Sequence, residues 1–513
     1  MAFSVTTQIW SSIAELSLSS LIIGTFVVLI GSTVAPAVYD AYFGPLSKFA
    51  GPKLRAMSSI PQAVSIFRGR EHEDYVTLHK KYGKVVRVAP NELSFVGGAT
   101  VWKDVLGFKK SGTSNFPKCP RFYGGQLLER PNSFLANADD AEHSKLRRVV
   151  SHAFADRSLH DVEHRLLHWA RNFKRRLDGM QAGHDSIDMV KLYNCGTFDV
   201  MGDLAFNEDL GMLADGNESE WVTNIFKGIK QSSYVRGVKD LHDSLWYFID
   251  NVVMKMPEAR REVGKTLEFT NERLEKRLNN PPARPDLWSQ IIAKGIGEQA
   301  LDRAEHQGLA FFFMVAGTET TASALSAITF FLLCNPNYTK QLQEELRSTF
   351  STFEDLSFSK LGRLKYLNAV IQEGLRMYPP VPIALPRRTP AEGAQVDGQY
   401  IPGNVVCSIP HYSTYRSPEH FAEPNEFRPE RWLGDPKYTD DNLDAVEPFH
   451  VGPRNCVGKN LAWHEMRLFL ATAYTFFDLT VTEDSRDWLA QNQVFTVWQK
   501  PPLWCRVNSA SVV

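Results

Sequence analysis

The chain has 513 residues, of which 43% are hydrophobic and 12% aromatic, enough apolar material for a large buried core. Lys plus Arg total 57 against 58 for Asp plus Glu, so the near-neutral balance gives no reason to expect nucleic acid, and no long charged run marks a tail. The six cysteines (Cys119, Cys195, Cys334, Cys407, Cys456 and Cys505) form no CxxC pair, and five of them read as inert thiols in a reducing compartment.

From Leu16 to Tyr39 there is no charged residue. As a helix this run reaches about 36 Å, enough to cross a bilayer. A cleaved signal peptide is the rival reading, with Ala35-Pro36-Ala37 as a weak cleavage pattern, but no Lys or Arg precedes the run. The first basic residues follow it, at Lys48, Lys53 and Arg55, which points to an uncleaved anchor over residues 1–40 with the remainder in the cytosol. Residues 41–61 carry Pro45, Pro52 and Pro61 and read as a stiff hinge to a body over 62–513.

Lys84 to Val96 reads as two short strands around a Pro-Asn turn. Residues 140–278 are mostly helical in pattern, with breaks near Gly183 and Gly216, and 279–285 form a loop. A helix over Leu301–Cys334, stopping before Pro336, is apolar on nearly all sides at Leu309–Val315, so it passes through the interior. It is too polar at Thr318–Thr321 to be a second membrane span. A further helix covers Leu364–Tyr378, short strands 396–409, irregular chain 410–455, and a last helix runs from just after Cys456 to about Phe477. The expected class is mainly α with small β-sheets (α+β).

Cys456 stands apart from the other cysteines. Phe449-His450-Val451-Gly452-Pro453-Arg454-Asn455-Cys456-Val457-Gly458 sets one cysteine between glycines, where backbone can pass close to a flat ligand, and at the start of a helix, where free N–H groups favour a thiolate. The bland alternative is a buried cysteine in a glycine-rich turn. This stretch resembles the haem-binding signature of the cytochromes P450, matched at Phe449, Gly452, Arg454, Cys456 and Gly458. The resemblance implies haem b with Cys456 as axial thiolate and Arg454 on a propionate.

Three further stretches resemble that family in the expected order. Ala316-Gly317-Thr318-Glu319-Thr320-Thr321 is similar to its oxygen-activation motif: Gly317 would leave room for dioxygen, Thr320 would hydrogen-bond it, and Glu319 would pass protons through water. The alternative for Thr320 is a hydroxyl bonded back to its own helix. Glu373 and Arg376 form an ExxR pair; it reads either as a surface ion pair or, by resemblance, as a buried structural network with Arg431. In His143-Ser144-Lys145-Leu146-Arg147, His143 replaces the family's Trp and Arg147 would hold a propionate, with Arg387 a further propionate candidate.

The implied fold places haem between the long central helix and the cysteine loop. The implied activity is insertion of one oxygen atom of O2 into a hydrophobic small molecule, in a pocket built from residues 111–135, Phe312–Ala316 and Val381–Leu385. Oxidative ring expansion or desaturation is an alternative, and a non-enzymatic haem protein a weaker one. The sequence has no P-loop and no GxGxxG after a strand, so electrons must come from a partner. By resemblance that partner is NADPH–cytochrome P450 reductase, with cytochrome b5 a second candidate, on the endoplasmic reticulum membrane. Lys145, Arg148 and Lys459 read either as its docking patch or as scattered solvated charges. The wording of the chain is most similar to filamentous-fungal members, many of which tailor polyketides, terpenoids or peptide hybrids.

Overall fold

The computed structural model describes residues 31–109, 114–123, 135–180, 186–295, 297 and 300–510. Most of the apolar N-terminal run, the break near Gly183 and much of the 111–135 loop lie outside the described residues. Residues 31–42, at the end of the apolar run, are helical and largely exposed.

Residues 41–61, read as a hinge, dock on the body. They contain short helices at Lys53–Met57 and Ile60–Phe67. Ala41, Leu46 and Phe49 are buried, and Arg87 Nη1 donates to the Asp40 carbonyl at 3.0 Å. Pro45 lies in a turn, Pro52 caps the first of these helices and Pro61 stands in the opening turn of the second.

Helices dominate, as the patterning predicts. Those that place the site are α1 (Asp140–Ser151), α2 (Glu163–Asp178), α3 (Met189–Phe206), α4 (Glu220–Lys239), α5 (Arg303–Cys334), α6 (Pro336–Thr349), α7 (Lys365–Met377) and α8 (Lys459–Phe476). The central helix α5 starts at a reciprocal cap: Asp302 accepts from the Glu305 N–H at 2.9 Å, and Glu305 accepts from the Asp302 N–H at 2.7 Å. It ends where Pro336 opens α6. Among the described residues it is the one helix long and apolar enough to cross a membrane, but α3, α7 and α8 cover it and most of it is interior.

The sheets are small. One has the order β1-β2-β7-β4, built from Val85–Ala89, Glu92–Phe95, Val406–Ser408 and Arg387–Arg388. In it β2 and β7 run parallel and the other pairs antiparallel. A second joins β3 (Ser186–Asp188), β11 (Trp504–Ser509) and β8 (Phe477–Val481). Two hairpins complete the set among the described residues, β5–β6 (Ala394–Val396 with Gln399–Ile401) and β9–β10 (Gln493–Phe495 with Val497–Gln499).

Candidate active site

The Cys456 loop is held by its own backbone. The Cys456 N–H donates to the Phe449 carbonyl at 2.8 Å, and the Asn455 N–H donates to Gly452 at 3.2 Å. Gly452 has φ 78°, and a Cβ there would collide with the Leu106 carbonyl oxygen. Gly452 is therefore required by a close backbone crossing rather than by a flat ligand. Gly458, the N-cap of α8, is different: a Cβ there would meet nothing within 4 Å, so it borders open space beside the cysteine.

The Cys456 side chain is exposed, yet surrounding protein raises its thiol above the ordinary value. The two facts agree if the sulfur faces an internal space enclosed by protein. The Gly458 N–H, Arg147 and Lys459 pull the pKa back down without overcoming burial. The helix end alone does not ionise this thiol; a coordinated metal ion would.

Cations gather beside it. On α1, Arg147 donates from both terminal nitrogens to Asn455, to the carbonyl and to Oδ1, each at 2.6 Å. Arg147 thus grips the residue before the cysteine. Arg454 donates to Asp140 Oδ1 at 2.7 Å and to the Ala138 carbonyl at 2.9 Å, but its Nη1 is buried without a partner. Arg387, on β4, is buried and its Nε also lacks a partner. Burial, Arg454, Lys118 and Arg147 push His143 down to about 4, so it stands neutral and can donate from one ring nitrogen.

Lys118 carries no sequence signal, and its loop contains no motif. A β-bridge to Arg387 brings it in. Burial, Arg387 and Arg454 depress its pKa to about 6. The carboxylate facing this group is Asp140. Mutually repelling, partly unsatisfied cations around one acid make a site for anionic groups.

The ExxR reading gives a buried network. Arg376 donates to both Glu373 oxygens at 2.9 and 2.7 Å, and Arg431 Nε donates to Oε1 at 3.1 Å. All three side chains are 0% exposed. Trp432 Nε1 and the Arg428 N–H add bonds to Glu373 at 2.9 and 2.8 Å. Burial raises the Glu373 carboxyl, but the two arginines more than offset it, and its pKa ends below the ordinary value. Arg376 also donates to the carbonyls of Tyr415, Pro424 and Glu426, and Arg431 pairs with Asp441. These bonds fasten the irregular chain 415–441 that leads into the cysteine loop.

On α5, Phe312, Val315, Ala316 and Thr320 are half-exposed in the middle of an otherwise buried helix. The Thr320 hydroxyl donates to the Ala316 carbonyl at 2.7 Å. Its donor is committed to its own helix, while its lone pairs remain free to accept. Gly317 does not open the face expected of it: a Cβ there would sit 3.0 Å from Met201 Sδ, so its smallness admits α3 close to α5. Glu319, next to Thr320, turns toward the C-terminal segment. It pairs with Lys500 and accepts from Ser323 Oγ at 3.0 Å.

Lys145 is not a free docking cation, because it pairs with the buried Glu305 and lies 3.8 Å from Glu142. Arg148 and Lys459 remain exposed. His160, one of three histidines spaced by four, sits against His464 and Phe358. No group of His, Cys, Asp or Glu suited to a metal ion occurs among the described residues.

A family model described as cytochrome P450 matches residues 51–506. The chain belongs to the cytochrome P450 family. It is 41% identical over 506 residues to the cytochrome P450 monooxygenase efuB of Hormonema carpetanum, covering 98% of this chain and 99% of that protein. It is 36% identical to astJ of Aspergillus oryzae over 93% of this chain and 94% of the relative. FUM2 of Gibberella moniliformis is also 36% identical, over 92% of this chain and all of the relative. Both are likewise cytochrome P450 monooxygenases.

This P450 is therefore an oxidoreductase, and its family implies haem bound through a cysteine thiolate. The residues fit that group. The exposed Cys456 thiol, open space beside Gly458, and the unpartnered Arg454 Nη1 and Arg387 Nε match an iron ligand, a flat macrocycle and its propionates.

Proposed function

We propose that this P450 inserts one oxygen atom of O2 into a hydrophobic secondary metabolite, with electrons from NADPH delivered by a membrane-bound reductase. The observation that carries the site assignment is the position of Arg147, which grips Asn455 beside Cys456 and faces His143 in the cluster of Arg454, Arg387 and Lys118. Cys456 would ligate the iron, while Phe449, Gly452 and Gly458 shape its loop. Arg454 and Arg387 offer unpartnered donors to the propionates, His143 a ring N–H, and Lys118 a buried amine that bound anions would hold protonated. Arg147 fixes the loop through Asn455 and lies within reach of the same anions.

The bound haem supplies the oxidising chemistry. The chain's own part is to bind, orient and exclude water. The partly exposed Phe312, Val315 and Ala316 and the mostly buried Val381–Leu385 give the pocket an apolar wall, which favours a hydrophobic substrate. Thr320 offers lone pairs as a hydrogen-bond acceptor, and Glu319 holds or releases a proton one residue away. Fungal relatives support the secondary-metabolite class. The exposed helix at 31–42, following an apolar run, supports anchoring on the endoplasmic reticulum membrane with the body in the cytosol.

The test is Cys456→Ser in the full chain. The reduced, CO-bound protein should lose the red-shifted Soret band that reports thiolate ligation; its survival would show that another residue holds the iron. For the reaction, the metabolite accumulating in a deletion strain should acquire one atom from labelled O2 when supplied with the chain, reductase and NADPH. Conversion without label would refute oxygen insertion.

A further inference from the structure

Glu319 is almost completely buried, and the cation paired with it is Lys500, which lies 181 residues away in the segment between β10 and β11. Lys500 Nζ also donates to Ser323 Oγ at 2.7 Å, and Ser323 donates to Glu319 Oε1 at 3.0 Å. The result is a closed triangle of ammonium, hydroxyl and carboxylate, in which the second oxygen, Oε2, is buried with no partner. Both charged members line a cavity of about 350 Å3 whose other walls include Asn194, Glu218, Lys227 and Gln499. Asn194 donates to Glu218 at 2.7 Å and leaves its own Oδ1 buried and unpartnered. Polar groups with unfilled valences therefore run from the α3–α4 side of the molecule to Glu319.

The geometry points to Lys500 as a positioning residue for oxygen chemistry: it holds Glu319 as a carboxylate turned toward this cavity, from which the carboxylate takes its proton. The inference rests on the proposed proton role of Glu319. Three physical facts support it. An isolated carboxylate at this depth would neutralise itself by binding a proton, so the charge persists only with its partner. The groups that face Glu319 are Lys500 from the C-terminal segment, Ser323 on its own helix, Glu218 before α4 and Tyr378 at the end of α7. Of these only Lys500 is cationic; burial and Glu218 raise the Glu319 carboxyl, and Lys500 and Ser323 pull it back. Finally, Lys500 sits one residue past the β9–β10 hairpin, so the shape of that hairpin fixes the ammonium's place.

The experiment uses the full-length haem protein. Infrared spectra at neutral pH should show a protonated-carboxyl C=O band in Lys500→Met that is absent from wild type, from Lys500→Arg and from the double variant Lys500→Met/Glu319→Gln. With reductase and NADPH, the share of reducing equivalents ending as hydrogen peroxide should rise in Lys500→Met to the level of Glu319→Gln. The double variant should add nothing further. Ser323→Ala, which loosens the same triangle, should move both readouts in the same direction and serves if Lys500→Met loses its haem. A raised peroxide share in Glu319→Gln, with no new band and wild-type coupling in Lys500→Met and Ser323→Ala, overturns the role of Lys500 but leaves that of Glu319. Wild-type coupling in Glu319→Gln overturns both.

Discussion

Replacing Glu373 by Gln tests whether the buried ExxR network or surface charge governs the stability of the cysteine loop. In the native protein two guanidinium groups, both 0% exposed, share this carboxylate, and Trp432 and the Arg428 N–H also donate to it. An amide keeps the shape but removes the negative charge and turns an NH2 toward an arginine. Breaking a buried pair by removing one partner costs about 3–5 kcal/mol, because the remaining charge stays buried and unpaired. The control is Arg171→Ala, whose pair with Glu354 is 42% and 66% exposed; such pairs contribute about 0–1 kcal/mol. Urea unfolding, followed by both Soret absorbance and tryptophan fluorescence, should show a large loss for Glu373→Gln and almost none for Arg171→Ala. Equal losses would refute the reasoning. The pH dependence has a definite sign. Arg376 and Arg431 hold the native Glu373 carboxyl below the ordinary value of 4.5, so its contribution is complete above that pH. It disappears as pH falls through the depressed value, where the native carboxylate is finally protonated.

Gly452→Ala should yield protein with little bound haem, because the new methyl meets the Leu106 carbonyl at a backbone φ of 78°; a normal CO band would show that the crossing can relax. Lys118→Met should speed haem transfer to an acceptor globin by about tenfold, the loss of one charge-assisted bond of roughly 1.5 kcal/mol; an unchanged rate would remove Lys118 from the propionate site. Thr320→Ala should keep the CO band while raising peroxide release, and Thr320→Ser should restore coupling because a hydroxyl is again present to accept a hydrogen bond. Wild-type coupling in the alanine variant would leave the back-bond to Ala316 as the whole role of Thr320.

Local signals in the chain were legible where a short-range rule decides them. The central helix was expected over Leu301–Cys334 and lies over Arg303–Cys334, since the cap at Asp302 and the break at Pro336 are both local. The strands at 85–95, the helix ending before Pro379 and the one following Cys456 come from the same kind of information. The segment at 41–61 reads as a hinge because proline content reports stiffness and says nothing of docking; Leu46 and Phe49 join a buried cluster with Leu93, Val396 and Ile401. Lys118 and Lys500 have no signal in the sequence for a related reason. Each gains its place through a contact with a residue far along the chain, Arg387 and Glu319 respectively, and neither carries a pattern of its own. For Gly317, expected to leave room on its helix face, and Lys145, open between a docking patch and a solvated charge, direction around the helix decides what the residue meets. Gly317 meets Met201 on α3, and Lys145 meets Glu305 on α5.

The central helix gives two neighbouring residues different surroundings. Successive residues on an α-helix point about 100° apart, so Thr320 and Glu319, though adjacent in sequence, meet different partners. Thr320 lies above Ala316, whose carbonyl it bonds, while Glu319 faces Lys500 and the polar cavity. One turn of helix thus carries a hydroxyl tied to its own backbone beside a carboxylate tied to the far end of the chain. A substitution at Ala316 can alter what surrounds Thr320 while leaving the ammonium–carboxylate pair in place.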